Sequence, residues 1–213
     1  ILVTGSNGQL GNEIRRIARQ RGQHTYVFVD VDELDITDAS AVKNYFAAHA
    51  FDICINCAAF TAVDKAESDA ALCHAINVTG VENLANACQA AQAVLFHIST
   101  DFVFDGQGTH PYTIDHPVQP LSVYGQTKAE GEYRALSLNS KTILIRTSWV
   151  YSTFGNNFMK TMIRLGKERE SLGVVDDQVG CPTYARDLAD VIFRFIEKLP
   201  AVPFGIYHFS NAG

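Results

Sequence analysis

Along this chain, short continuous runs of Val, Ile, Leu and aromatic residues alternate with longer stretches in which apolar positions recur every three or four residues. Continuous apolar runs suit strands covered on both faces, and the helical spacing suits crossover helices that cover them. The expected strands are ILVT (1–4), TYVFVD (25–30), DICINC (52–57), VLFHIS (94–99), TILIRT (142–147), LGVV (172–175) and GIYHF (205–209). Helices are expected in QLGNEIRRIARQRG, ending on Gly22, and in TDASAVKNYFAAHA, with an aspartate or threonine cap. Further helices are expected from about Leu72 to Gln92, Tyr124 to Leu136, Asn157 to Lys167 and Ala185 to Lys198. The alternation predicts an α/β fold with a doubly wound parallel sheet. The segment from Asp101 to Leu121, rich in Gly, Pro and His, is the one long loop expected inside the fold, and such loops are often functional.

Composition narrows the function classes. Of 213 residues, 47% are hydrophobic and 19% charged, enough to bury a sizeable core as one large domain, or one domain and part of another. The net charge of -6, with no block of lysines or arginines, argues against nucleic acid or an anionic membrane as partner. No apolar run approaches the roughly 18 residues of a membrane span, and no charged segment precedes an apolar one in the manner of a signal peptide. A cytoplasmic location is expected. Five cysteines, an odd number lying mostly in apolar stretches, suit reduced thiols. Cys54 and Cys57 form a C-x-x-C, but in a strand an offset of three points the side chains to opposite faces. That argues against redox or zinc chemistry, and without a carboxylate cluster of metal-binding spacing no metal is expected. The chain opens inside an apolar strand with no initiator methionine and stops just after another, so the natural protein is expected to continue at the C-terminus.

The first strand runs into TGSNGQLG, which sets Gly5, Gly8 and Gly11 three apart before a helix. Glycines here permit a tight turn and close approach of a pyrophosphate, and the helix N-terminus supplies N–H donors. This is strand, glycine turn, helix, the opening of a Rossmann-like sheet, with Asn7, Gln9 and Leu10 placed beside the same phosphates. Asp30 closes the second strand, where a carboxylate meets an adenosine ribose 2'-hydroxyl and favours NADH by charge. Arg15 and Arg16 on the first helix oppose that preference, which leaves NADPH or NADH as the cofactor. Asp35 and Ile36, in the following DITD, either reach the adenine edge or lead into the next helix, with Asp35 as a capping residue. Tyr124 and Lys128, four apart in VYGQTKAEGE, share one helical face. A lysine ammonium so placed is expected to lower the phenol pKa and make the tyrosine a usable proton donor. A surface contact is the plain alternative for the pair taken alone.

The motifs TGSNGQLG, NCAAFTAVDKAE, STDFVFDG, Tyr124-x-x-x-Lys128, RTSWVY and DQVGCPTYARDLA, in this order, resemble the extended short-chain dehydrogenases/reductases, and most closely their dTDP-4-dehydrorhamnose reductase branch. The resemblance covers essentially the whole chain. It implies an NAD(P)-binding Rossmann domain over 1–148, and over 149–213 a mixed segment giving substrate-binding elements and a further strand, with the C-terminal part of a small substrate region missing. It also implies NAD(P)H-dependent reduction of the C4 ketone of dTDP-4-dehydro-L-rhamnose, a dTDP-sugar partner, a role in making cell-surface polysaccharide, and allows a homodimer. Carried onto this sequence, Tyr124 donates the proton, Lys128 holds the nicotinamide ribose and tunes the tyrosine, and Thr100 donates to the substrate oxygen. Ala58, Ala59, Phe60 and Thr61 would line the cofactor groove, with Thr61 and Val63 approaching nicotinamide or sugar. Asp101, Trp149, Asn157, Pro182 and Thr183 would complete the substrate side. Asp64, Lys65 and Glu67 read as a surface or helix-start charge cluster.

Two rival readings share the scaffold. A sugar-nucleotide epimerase or 4,6-dehydratase is one, although a dehydratase needs adjacent acidic residues after the threonine, and here Asp101 is followed by Phe102. A non-catalytic subunit resembling the regulatory subunit of methionine adenosyltransferase is the other.

Overall fold

The computed structural model describes residues 1–174 and 176–212. The strands are β1 (Leu2–Thr4), β2 (Val27–Phe28), β3 (Ile53–Asn56), β4 (Val94–Thr100), β5 (Thr142–Thr147), β6 (Val150–Tyr151), β7 (Thr183–Tyr184) and β8 (Gly205–His208). Six of them pair in parallel in the order β2-β1-β3-β4-β5-β8, and β6 and β7 form a separate parallel pair. The chain winds away from β1 in opposite directions toward β2 and β3, and in doubly wound sheets a crevice opens at the carboxyl ends of the strands at such a point.

The helices are α1 (Gln9–Arg21), α2 (Ala39–Ala48), α3 (Val63–Ala66), α4 (Ala70–His74), α5 (Gly80–Ala91), α6 (Val123–Leu138), α7 (Phe158–Glu168) and α8 (Ala185–Glu197). Because side chains alternate across a strand, β1 to β4 each feed two cores. Leu2, Cys54 and Leu95 join Val42, Phe46, Leu84 and Cys88 on the face covered by α2 and α5. Val3, Ile55, Phe96 and Ile145 join Ile14, Ile17, Leu188 and Ile192 on the face covered by α1 and α8. Cys54 lies in the first core and Cys57 packs against the second, the opposite faces that the offset of three requires, and neither forms a disulfide.

Two expectations change. The segment Leu172–Val174 is in no strand and Val174 is 51% exposed, while Val175 lies outside the described residues. Apolar content makes a strand only where a neighbour can complete its hydrogen bonds, and the short pair β6 and β7 takes that role instead. The helix expected from Leu72 to Gln92 is interrupted by a π-helical turn over Ala75–Thr79 before α5, and ends on Gln92 in the left-handed region. The capping expectation for α2 resolves to Asp38, whose carboxylate accepts from the N–H groups of Ser40 and Ala41 at 2.8 and 3.0 Å.

Helix α6 is drawn unusually deep. A side chain on Gly125 would collide with the Phe102 carbonyl, and one on Gly131 with the Asn77 carbonyl of the π turn. The inward face therefore buries Tyr124, Lys128 and Glu132, one turn apart from each other. Glu132 meets Arg146 of β5 in a bidentate pair, with Nη2 2.7 Å from Oε2 and Nε 2.9 Å from Oε1, and both side chains are about 5% exposed. Arg146 also lies over the Phe104 ring, 5.0 Å from its centroid, and reaches the Ile114 carbonyl and His208. The long loop is thereby fixed rather than free, helped by Phe104 stacked on Tyr112 with centroids 4.4 Å apart. Removing one partner of such a pair strands the other charge in the interior, whereas replacing both with apolar groups does not. Glu132→Leu is expected to cost about 3–5 kcal/mol, and Glu132→Leu with Arg146→Met to recover most of that, as read from urea unfolding of the two variants beside the parent.

Candidate functional site

The glycine turn is built by contact. Gly5 has φ +61°, and a Cβ there would sit 2.5 Å from the Ala58 nitrogen, while one on Gly11 would sit 2.5 Å from the Ser6 Cα. The turn thus lets β1, the β3 end and α1 approach one another as no side chain would permit. At its N-cap, Gly8, α1 carries no side-chain cap and no acidic residue in its first turn, so its N–H groups and positive dipole end face the crevice. A cavity of about 330 Å³ opens there, lined by Gly5, Gly8, Asp30, Asp35, Ala58 and Ala59 among others, with Ile36 at its edge. A cradle of close-packed glycines, an uncapped helix start and a carboxylate at the end of β2 together fit the pyrophosphate and adenosine of a dinucleotide.

Polar contacts fix the groove walls. The carboxylate of Asp30 accepts from the Asn7 N–H at 2.8 Å and from the Val31 N–H at 2.9 Å. Arg15 sits close by, donating to the Ser6 hydroxyl at 2.8 Å and lying 5.0 Å from the Phe28 ring centroid, whereas Arg16 is exposed. Asp35 closes its own turn by accepting from the N–H and hydroxyl of Thr37 at 2.8 and 2.7 Å, so it is neither the cap of α2 nor removed from the cavity. Leu10 turns into the core, and any cofactor contact it makes is through its backbone. Behind the wall the buried Asn56 side-chain Oδ1 accepts from the Thr4 hydroxyl at 2.7 Å and the Ala58 N–H at 3.1 Å.

Thr100, Tyr124 and Lys128 converge at the end of β4. Their exposures are 7%, 7% and 2%. Burial pushes the Tyr124 phenol up to about 12, with a hydrogen bond to Thr100 opposing the rise and the Asp101 carboxylate adding to it. This reverses the lowering expected from the tyrosine–lysine spacing. Lys128 instead donates to the Ile98 carbonyl at 2.7 Å, and desolvation, partly offset by Glu132, brings its ammonium down to about 8. The Thr100 hydroxyl donates to Asp101 at 3.0 Å and accepts from the Phe102 N–H at 3.2 Å. Burial raises Asp101 above the ordinary carboxylate range, against its hydrogen bond with Thr100. His97, fully buried beneath the site, is held well down by desolvation and by the Lys128 charge, and stays neutral.

Several residues that sequence reasoning passed over hold this arrangement. Asn77, in the π turn, accepts from the Phe60 N–H at 2.9 Å and donates to the Phe60 carbonyl at 3.1 Å and to Thr127 of α6 at 3.2 Å. It ties the loop that carries Ala58 to Thr61 to the helix that carries Tyr124. Its signal was an asparagine in the middle of an expected helix, a poor position unless its side chain has work to do. Glu67, expected as part of a surface cluster, accepts from the Val123 N–H at 2.9 Å and anchors the start of α6.

The substrate side is less tightly gathered. Val63 packs beside Tyr124, and Thr61 is exposed at the groove. Trp149 is 39% exposed, holds a left-handed φ of 49°, and meets Phe158 edge to face at 6.5 Å. A non-glycine residue in that region carries strain that the surrounding structure must over-determine. Pro182 is exposed, but Thr183 is fully buried in β7, its N–H donating to the Trp149 carbonyl at 3.2 Å. Asn157 donates both amide hydrogens, to Gln9 at 2.9 Å and to the Ser152 carbonyl at 2.8 Å, and its oxygen caps α7 through the Lys160 N–H at 3.0 Å. In this conformation the Asn157 amide is engaged within the wall, while the Thr183 hydroxyl is buried without a hydrogen-bond partner among the described residues.

Comparison with known proteins matches this geometry. The family described as "RmlD substrate binding domain" matches residues 1–213. A dTDP-4-dehydrorhamnose reductase of Streptomyces griseus is 45% identical over all of this chain and 70% of its own length. Solved dTDP-4-dehydrorhamnose reductases from Clostridium acetobutylicum, at 44% identity and TM-score 0.95, and from Bacillus anthracis, in complex with NADP, at 42% and 0.94, each cover 100% of this chain, which spans 74% of theirs. With its glycine cradle, buried Thr100–Tyr124–Lys128 group and a match running from end to end, the chain belongs to the RmlD substrate-binding-domain family.

Proposed function

We propose that this protein is an NAD(P)H-dependent reductase of the C4 ketone of dTDP-4-dehydro-L-rhamnose. The observation that carries the reading is the burial of Tyr124 and Lys128 on one face of α6, with Tyr124 hydrogen-bonded to Thr100 at the end of β4, in a sheet whose first strand ends in the glycine cradle. The relatives named as this reductase support it, and the relative holding NADP supports the cofactor class.

A bound reduced nicotinamide supplies the hydride. At neutral pH Tyr124, raised to about 12, keeps its proton until charge develops on the substrate oxygen within reach. Lys128, near 8, is charged under the same conditions and stabilises that charge from a desolvated position. Thr100 must exchange its Asp101 acceptor for the substrate oxygen to serve as donor, which makes Asp101 the positioning partner of that hydroxyl. Asp101 is followed by Phe102, which packs edge to face on Tyr124 at 5.6 Å, so the adjacent acid of a dehydratase is replaced by an apolar wall. On the adenosine side, Asp30 is engaged by two N–H groups and Arg15 is bonded to Ser6, and the cofactor is NADPH or NADH.

Burying Lys128 has a cost in stability. Its folded pKa of about 8 lies below the ordinary 10.5, so between these values the unfolded chain holds a proton that the folded chain lacks. Stability from this group therefore rises with pH through that window and is lowest below about 8. Lys128→Met is expected to flatten this rise, seen as a smaller gain in urea midpoint between pH 7 and pH 9.5 than in the parent, and to lose turnover. For the reaction itself, Tyr124→Phe is expected to lower turnover about 100-fold or more while still binding NADPH. The assay is loss of reduced-nicotinamide absorbance on adding dTDP-4-dehydro-L-rhamnose, with NADH and NADPH run separately. Cofactor binding by the parent without ketone reduction would remove this reading and favour a non-catalytic subunit.

A further inference from the structure

Helix α7 has no buried residue, and Phe158, Met159 and Ile163 on it are 56%, 39% and 53% exposed. Within these 213 residues, α7 is held chiefly by hydrogen bonds at its N-terminus. Its N-terminus is held by a compact polar strap running from Val150 to Asn157. The strap is fastened to the first two turns of α1. Gln9 donates to the Val150 carbonyl at 3.3 Å and accepts from Asn157 at 2.9 Å, and Ser152 donates to Glu13 at 2.7 Å. Ser152 and Glu13 are fully buried, and the second oxygen of Glu13 has no hydrogen-bond partner among the described residues. Asn157 then caps α7, and the Lys160 ammonium clasps the Thr153 and Gly155 carbonyls at 2.5 and 2.8 Å. Gly155 packs close on Gln9, where a Cβ would lie 3.1 Å from Cγ.

Gln9 is therefore shared. Its backbone opens the helix whose N–H groups face the phosphates, and its side chain holds the strap that starts α7. We infer that Gln9, supported by the Glu13–Ser152 contact, is a positioning residue that couples occupancy of the dinucleotide groove to the order of α7. Anything that fixes the first turn of α1 fixes Gln9, and so tightens the cap of α7. Coupling of this kind is a free energy shared between two sites, so order in α7 in turn favours the bound groove. The inference rests on the groove being a dinucleotide site.

The test is hydrogen exchange of the α7 amides with and without saturating NADPH, in the parent and in Gln9→Ala, with NADPH binding followed separately by nicotinamide fluorescence. The expected result is exchange slowed about fivefold or more by NADPH in the parent, and little slowing in Gln9→Ala although NADPH is bound. Bound NADPH with no slowing in the parent, or equal slowing in both proteins, overturns the coupling and leaves the cofactor reading intact. Failure of the parent to bind NADPH overturns the cofactor reading, and the coupling with it. If Gln9→Ala does not fold or bind, Asn157→Ser keeps an α7 cap through its hydroxyl but removes the amide that donates to Gln9; loss of the NADPH slowing in that variant is expected, and slowing equal to the parent's overturns the coupling.

Discussion

The site depends on how closely α6 lies against the strand ends. Two glycines, Gly125 and Gly131, remove side chains where the helix meets the Phe102 and Asn77 carbonyls, and the burial of Tyr124, Lys128 and Glu132 follows from that approach. A helix at an ordinary distance would leave Tyr124, Lys128 and Glu132 at its water-facing margin. Here they are buried, and burial of charge costs several kcal/mol per ion unless partners are supplied. The Ile98 carbonyl supplies one for Lys128 and Arg146 supplies one for Glu132. The interior that raises the Tyr124 phenol is thus the same interior that the fold must stabilise by long-range pairing.

That distinction explains what could be read from the chain. The six strands of the main sheet, the glycine turn and the position of Asp30 were legible because each is encoded locally, by apolar runs and by residues whose conformational freedom or charge has one evident use, whereas the two-residue strands β6 and β7 carry no such run. The pairs that support the site were not. Asn77 meets Thr127, Glu132 meets Arg146, and Glu13 meets Ser152 across long stretches of sequence, and nothing local announces the partner. Arg146, in the otherwise apolar TILIRT, was the nearest thing to a signal, since an arginine in a covered strand must find an acid. The direction of the Tyr124 shift was misread for a related reason. Helical spacing places a lysine near a phenol, but it says nothing of desolvation, and desolvation is the larger effect here.

The two sides of the groove are built on different principles. The cofactor wall is made of strand ends, tight glycine contacts and side chains anchored in the two cores, with the first turn of α1, uncapped at Gly8, as the one part of it that a ligand further fixes. The opposite wall is made of β6, β7 and an α7 without buried residues, and it is fastened mainly by hydrogen bonds to α1 and to its own loop. Hydrogen bonds of this kind contribute about 1 kcal/mol each, so several must act together to fix one geometry there. Trp149 concentrates the point, because its left-handed backbone is strained and is held by the β6–β7 contact rather than by a core. A ligand entering between the walls therefore meets one surface that is already shaped and another that it can still bias.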